Sequence, residues 1–122
     1  MAQEVNSKRI YDLEERTAKF AENVIQLLKK VKENQITRAI INQLTKCSTS
    51  VGANYCEADD AESLQDFRHK IGICKKESRE SKHFLRILAT ATPELKSEIS
   101  ILWQEAKELN LIFNKIYHSV KK

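Results

Sequence analysis

The 122-residue chain contains two glycines and one proline, so the usual material for tight turns is scarce. A β-sandwich or barrel needs a turn about every 8–12 residues, which excludes that class. A Gly-rich phosphate loop of either common type is excluded for the same reason. No run of 18 apolar residues exists, so nothing reads as a membrane span. The polar opening Met1-Ala-Gln-Glu-Val-Asn-Ser-Lys-Arg9 lacks the apolar stretch of a secretion signal, and a cytoplasmic location is expected. Cys47, Cys56 and Cys74 fall at no CxxC or Cys/His spacing suited to a metal. They read as reduced, buried, small side chains. Disorder is excluded as well, because 41% of the residues are hydrophobic and the net charge is only +4.

What the chain does have is periodicity. Apolar residues recur in alternating steps of three and four, the seam of packed antiparallel helices. One line runs Ile10, Leu13, Thr17, Phe20, Val24, Leu27 and Val31, opening at the capping-box-like Asp12-Leu-Glu-Glu15. A second runs Ile36, Ile40, Leu44, Cys47, Val51, Asn54 and Ala58. A third runs Leu64, Phe67, Ile71, Cys74, Ser78, Ser81, Leu85 and Leu88, with Ser63 as N-cap. Thr92-Pro93 suits the start of a fourth, whose line is Leu95, Ile99, Leu102, Ala106, Leu109, Phe113, Ile116 and Val120. The expected helices cover about 12–33, 35–58, 63–90 and 93–119 of a single domain 1–122, with a short N-terminal arm and a Lys121-Lys122 tail. Connections this short force an all-α, antiparallel, up-down-up-down four-helix bundle.

Some small and polar residues sit on the seam or, like Gly52, beside it. Gly52, Ser78 and Ser81 suggest a close approach of the second and third helices. A turn near Ala61 would bring Cys47 opposite Cys74 or Lys75, with thiols and not a disulfide expected. Asn54, Ser78 and Ser81 must find hydrogen bonds if buried.

Catalytic constellations are missing. His69, His83 and His118 have no serine or cysteine arrangement around them that makes a nucleophile and base. His69 and His83 stand about 21 Å apart along one helix and cannot share a metal. Glu80-Ser-Lys-His83 matches half of a bundle di-metal motif, but it occurs once and off the seam. No enzyme activity, metal or cofactor is expected.

Charge is concentrated on the third helix, where residues 64–90 hold seven Lys/Arg against three Asp/Glu. Arg68, Lys75, Arg79, Lys82 and Arg86 fall along one stripe of about 27 Å, interrupted by Gly72. Such a stripe can track a phosphate backbone. Equally, long cationic side chains cover a seam with their stems and pair with acids of a neighbouring helix. No aromatic interleaves with the stripe in sequence, so base stacking is not expected. Off the seam lie Ile73, Phe84 and Ile87 on the third helix and Ile101, Trp103 and Leu111 on the fourth. Ile25 and Leu28 add to them on the first. This is more apolar surface than four helices cover, which marks a homo-oligomer interface.

Three stretches resemble those of a known family. Gln43-Leu-Thr-Lys-Cys-Ser-Thr-Ser-Val-Gly-Ala-Asn-Tyr-Cys-Glu57 resembles the second-helix motif of the bacterial four helix bundle protein family, which includes proteins encoded within intervening sequences of 23S ribosomal RNA genes. The run from Asp66 to Ser81, followed by Phe84-Leu-Arg-Ile-Leu88, resembles that family's third helix, and Tyr11–Ala21 its opening. The family often has an aromatic pair ending in Trp where this chain reads His83-Phe84, and Ala at Ser78. The resemblance implies a cytoplasmic, non-enzymatic bundle assembling as a homopentameric ring. It also implies kinship with accessory proteins of diversity-generating retroelements, which bind nucleic acid and a reverse transcriptase through a basic surface. The expected function is therefore binding of structured RNA, or another nucleic acid, through phosphate contacts along the basic stripe of the third helix. The alternative is a protein–protein adaptor or self-assembly module without a nucleic-acid role.

Overall fold

The first three helix starts are each fixed by a short polar side chain. In the computed structural model, which describes residues 12–120, Asp12 accepts a hydrogen bond from the Glu15 amide and opens α1 (Leu13–Leu28). Ile10, Tyr11, the N-terminal arm and Lys121-Lys122 lie outside the described residues. Asn34 and Thr37 form a reciprocal capping box at α2 (Gln35–Asp59). Ser63 accepts from the Asp66 amide at the head of α3 (Leu64–Ala91). At Thr92-Pro93 the expectation needs correcting. Pro93–Leu95 forms a 3-10 turn, Thr92 makes no side-chain cap, and α4 spans Lys96–Ser119. α1 ends earlier than its apolar line implies, with Lys29–Lys30 in a turn that still buries Val31.

The four helices form an antiparallel bundle in which each packs on the next and α1 closes against α4. The α2–α3 and α3–α4 seams are the most extensive and the α1–α4 seam the lightest. Seam residues from Leu13 and Phe20 to Leu109 and Phe113 make one continuous core. Three ion pairs bridge the light seam: Arg16 grips both Glu105 oxygens, at 2.7 and 2.9 Å, and reaches Glu108, while Lys30 meets Glu98.

Two seam assignments change. Ile36 is 68% exposed, because the capping box turns Thr37 inward in its place. Leu64, at the first position of α3, is also exposed. Every buried side-chain nitrogen and oxygen among the described residues has a partner. Ser78 donates to the Lys75 carbonyl, Ser81 to that of Glu77, and Asn54 to that of Ser50.

The cysteine layer also differs from expectation. The α2–α3 register runs about four residues beyond a turn at Ala61, so Cys74 meets the Val51 carbonyl at 3.4 Å and Cys47 faces Ser81. All three thiols are free, and Cys56 is exposed instead of buried. Burial pushes the Cys74 thiol up to about 12 and raises that of Cys47. In the native protein at pH 8, a thiol reagent should therefore titrate one cysteine, Cys56. The other two should react only on unfolding. Release of more than one thiol under native conditions would contradict this core.

Candidate nucleic-acid interface

The basic stripe resolves into two lines. Arg68, Lys75 and Lys82 are spaced by seven and turn toward α4, where Tyr117, Asn110 and Trp103 are spaced by seven in the opposite direction. Three rungs result, about 10 Å apart. The Arg68 guanidinium stacks 3.8 Å from the Tyr117 ring centre, and its Nε donates to the Tyr117 carbonyl. Lys75 also leans on that ring, at 4.9 Å, while its carbonyl accepts from Asn110 at 2.8 Å. Lys82 stands 5.7 Å from the Trp103 ring centre, and Lys107 of α4 stands 5.6 Å from it. Arg79 and Arg86 form the second line and are exposed, Arg79 at the edge of a shallow depression that also holds Glu80 and Phe84.

Aromatics thus interleave with the stripe after all, contributed by α4. Gly72 is part of the arrangement. A Cβ there would lie 3.0 Å from Tyr117 Cε1, so the glycine that interrupts the cations makes room for the ring.

The acids of α4 are kept off this face. Glu98, Glu105 and Glu108 of α4 turn the other way, onto Lys30 in the turn after α1 and Arg16 of α1. Glu77 and Glu80 of α3 turn toward α2, where Glu80 lines a shallow depression with Gln43. Burial and the neighbouring Glu80 raise the Glu77 carboxyl. Among the described residues, none of Arg68, Lys75, Arg79, Lys82, Arg86 and Lys107 has a carboxylate within 4.0 Å. The pairing with a neighbouring helix that would have neutralised the stripe is not seen. Sequence reasoning missed Lys107, which belongs to the face only through the α3–α4 register.

The off-seam apolar residues do not form one patch. Ile73, Phe84 and Ile87 lie on the α2 side of α3, and Phe84 shares the depression with Gln43, Lys76, Arg79, Glu80 and His83. Ile101, 71% exposed, lines the groove between α1 and α4, on the opposite face of the bundle. Leu111 is on the outer side of α4, 57% exposed, and Trp103 belongs to the basic face. Leu28 is buried and Ile25 is exposed. No group of three or more His, Cys, Asp or Glu suited to a metal occurs among the described residues. Glu80 and His83 share their depression with Lys76 and Arg79, two cations that would repel a metal ion. No helix among the described residues is long and apolar enough to cross a membrane.

The architecture is that of an all-α four-helix bundle. The chain belongs to the 23S rRNA-intervening sequence protein family, whose model matches residues 11–115. The bundle is also similar to the crystal structure of a protein of unknown function from the S23 ribosomal protein family of Bacteroides thetaiotaomicron VPI-5482. The two share 26% identity and a TM-score of 0.75, over 85% of this chain and 96% of that one. No curated protein matches the chain significantly.

Proposed function

We propose that the protein is a non-enzymatic, cytoplasmic, self-assembling bundle that binds RNA through phosphate contacts on its α3–α4 face. The observation that carries this reading is the segregation of charge. Arg68, Lys75, Arg79, Lys82, Arg86 and Lys107 have no carboxylate within 4.0 Å among the described residues, while Glu98, Glu105 and Glu108 pair on the α1 side and Glu77 lies by α2. An unpaired cationic face of this kind has a standing electrostatic cost that a polyanion relieves, with release of its counterions. Positioning on the backbone, not base reading, is the role of Arg79, Arg86, Lys75, Lys82 and Lys107. Arg68 is committed to Tyr117 and contributes field more than contact. Membership of a family named for a ribosomal RNA intervening sequence supports ribosomal RNA as the first ligand to test. With about five phosphates neutralised, the logarithm of the affinity for a ribosomal RNA hairpin should fall against that of salt with a slope of roughly −3 to −5. A flat response between about 50 and 200 mM salt would end the nucleic-acid reading.

Assembly is the second half of the proposal. Two apolar patches on opposite faces, Ile73/Phe84/Ile87 by α2–α3 and Ile101 by α1–α4, suit a head-to-tail joint that closes into a ring. A homopentamer, as the family resemblance implies, is one such closure. Arg68, Lys75, Lys82 and Lys107, on the α4 side of α3, would then stay open to RNA in every subunit, with Arg79 at the rim of the joint. Ile87→Asp and Ile101→Asp should each abolish the ring in sedimentation, and an equimolar mixture should form dimers through the one intact joint. Monomeric wild type at micromolar concentration, or no dimer in the mixture, would refute this joint. Loss of assembly without loss of RNA affinity per subunit would still leave the basic face as the binding element. The adaptor alternative gains only if assembly persists and no polyanion binds.

A further inference from the structure

We infer that Trp103 is a stacking platform for an unpaired base, which makes the ligand of the basic face single-stranded or looped RNA and not a duplex. This rests on the nucleic-acid reading above and specifies the kind of nucleic acid. Two aromatic rings lie on the face, about 21 Å apart along α4, and they differ in how they are held. Tyr117 is closed. Its ring edge packs on the α3 backbone at Gly72, Arg68 stacks at 3.8 Å, and the Arg68 Nε is tied to the Tyr117 carbonyl. A base could reach that ring only by breaking the Arg68 bond.

Trp103 is open by comparison. The indole is half-buried, and its two cations stand at 5.7 and 5.6 Å, near the outer limit of about 6 Å for a cation–π contact. Neither Lys82 nor Lys107 has a carboxylate to hold it in place among the described residues. Both are ammoniums on flexible four-carbon stems. A base that lands on the indole displaces them outward, where the phosphates on either side of that base receive them. Affinity then combines stacking with two charge contacts from neighbouring helices, the usual construction of a single-strand site. A duplex keeps its bases stacked on each other and meets only the cations, so it gains nothing from the indole.

Trp103 is the one tryptophan of the chain, and its emission reports the site directly. A short oligoadenylate, an RNA duplex with the same number of phosphates, and inorganic polyphosphate are titrated into the full-length protein. Oligoadenylate should quench the emission on binding, while duplex and polyphosphate should bind without quenching. Trp103→Leu should lower oligoadenylate affinity about five- to a hundredfold and leave duplex and polyphosphate affinity unchanged. Trp103→Phe, which keeps a ring of conservative shape, should retain most of the oligoadenylate affinity, and it carries the test if the leucine variant does not fold. Oligoadenylate binding without quenching, or an equal loss for all three ligands, overturns the stacking assignment while sparing the basic face. Absence of binding by any of the three overturns both.

Discussion

Gly52→Val should destabilise the bundle by about 3 kcal/mol, lowering the melting temperature by about 10 °C. In an ordinary helix interior the replacement of glycine by a larger residue gains stability, alanine by about 1 kcal/mol. Here the gain is overruled by Thr17. A Cβ on Gly52 would stand 2.9 Å from Thr17 Oγ1 and 3.3 Å from Thr17 Cβ. Thr17 cannot swing aside, because it is buried and its hydroxyl donates to the Leu13 carbonyl at 2.6 Å. Rotation would leave that hydroxyl unpaired or drive its methyl into the core. Even Gly52→Ala should therefore fail to stabilise. Adding Thr17→Ala removes the Oγ1 contact, so the double variant should recover about 1 kcal/mol relative to the sum of the singles. A net gain from Gly52→Ala in the wild-type background would show that α1 and α2 are not in tight contact there.

That contact shows what a linear reading sees and what it misses. Gly52 in the middle of an apolar line announces a close approach, but not the partner, which is α1 and not α3. The seam itself was plain. Leu44, Val51, Ile71, Leu85, Leu109 and Phe113 are all buried where a period of three and four puts them. The period is overruled where a local bond outweighs hydrophobicity, as at Ile36, which yields its inward place to the capping Thr37. Register between helices was the other limit. A turn placed a few residues early put Cys47 opposite Cys74, although Val51 and Ser81 are the true neighbours.

The candidate face suffered from the same limit. Five cations on α3 were visible as a stripe, yet Tyr117 and Trp103 lie far away in sequence and enter only through the antiparallel α3–α4 register. One signal was available. Arg68, Lys75 and Lys82 repeat every seven residues, as do Trp103, Asn110 and Tyr117, and two such lines on consecutive antiparallel helices face each other. Gly72, the gap in the first line, marks where a ring from the second must fit.

The two lines of cations should respond differently to mutation, and the contrast is the largest functional effect expected. Arg79 and Arg86 are exposed and touch no ring or carboxylate among the described residues, so their reversal leaves the fold alone. Arg79→Glu with Arg86→Glu should lower RNA affinity on the order of a hundredfold at low salt and flatten the salt slope by about 2, since two phosphate contacts are lost and two repulsions gained. Thermal stability should change by less than about 0.5 kcal/mol. Arg68→Ala should behave in the opposite way. It removes the guanidinium stacked on Tyr117 and the bond to the Tyr117 carbonyl, costing about 1–2 kcal/mol and loosening the last turn of α4. RNA affinity, corrected for the unfolded fraction, should fall by much less than for the Arg79/Arg86 pair. If Arg68→Ala proves as harmful to binding as the double reversal, the inner line is the true contact surface, and Tyr117 must release its cation when RNA arrives.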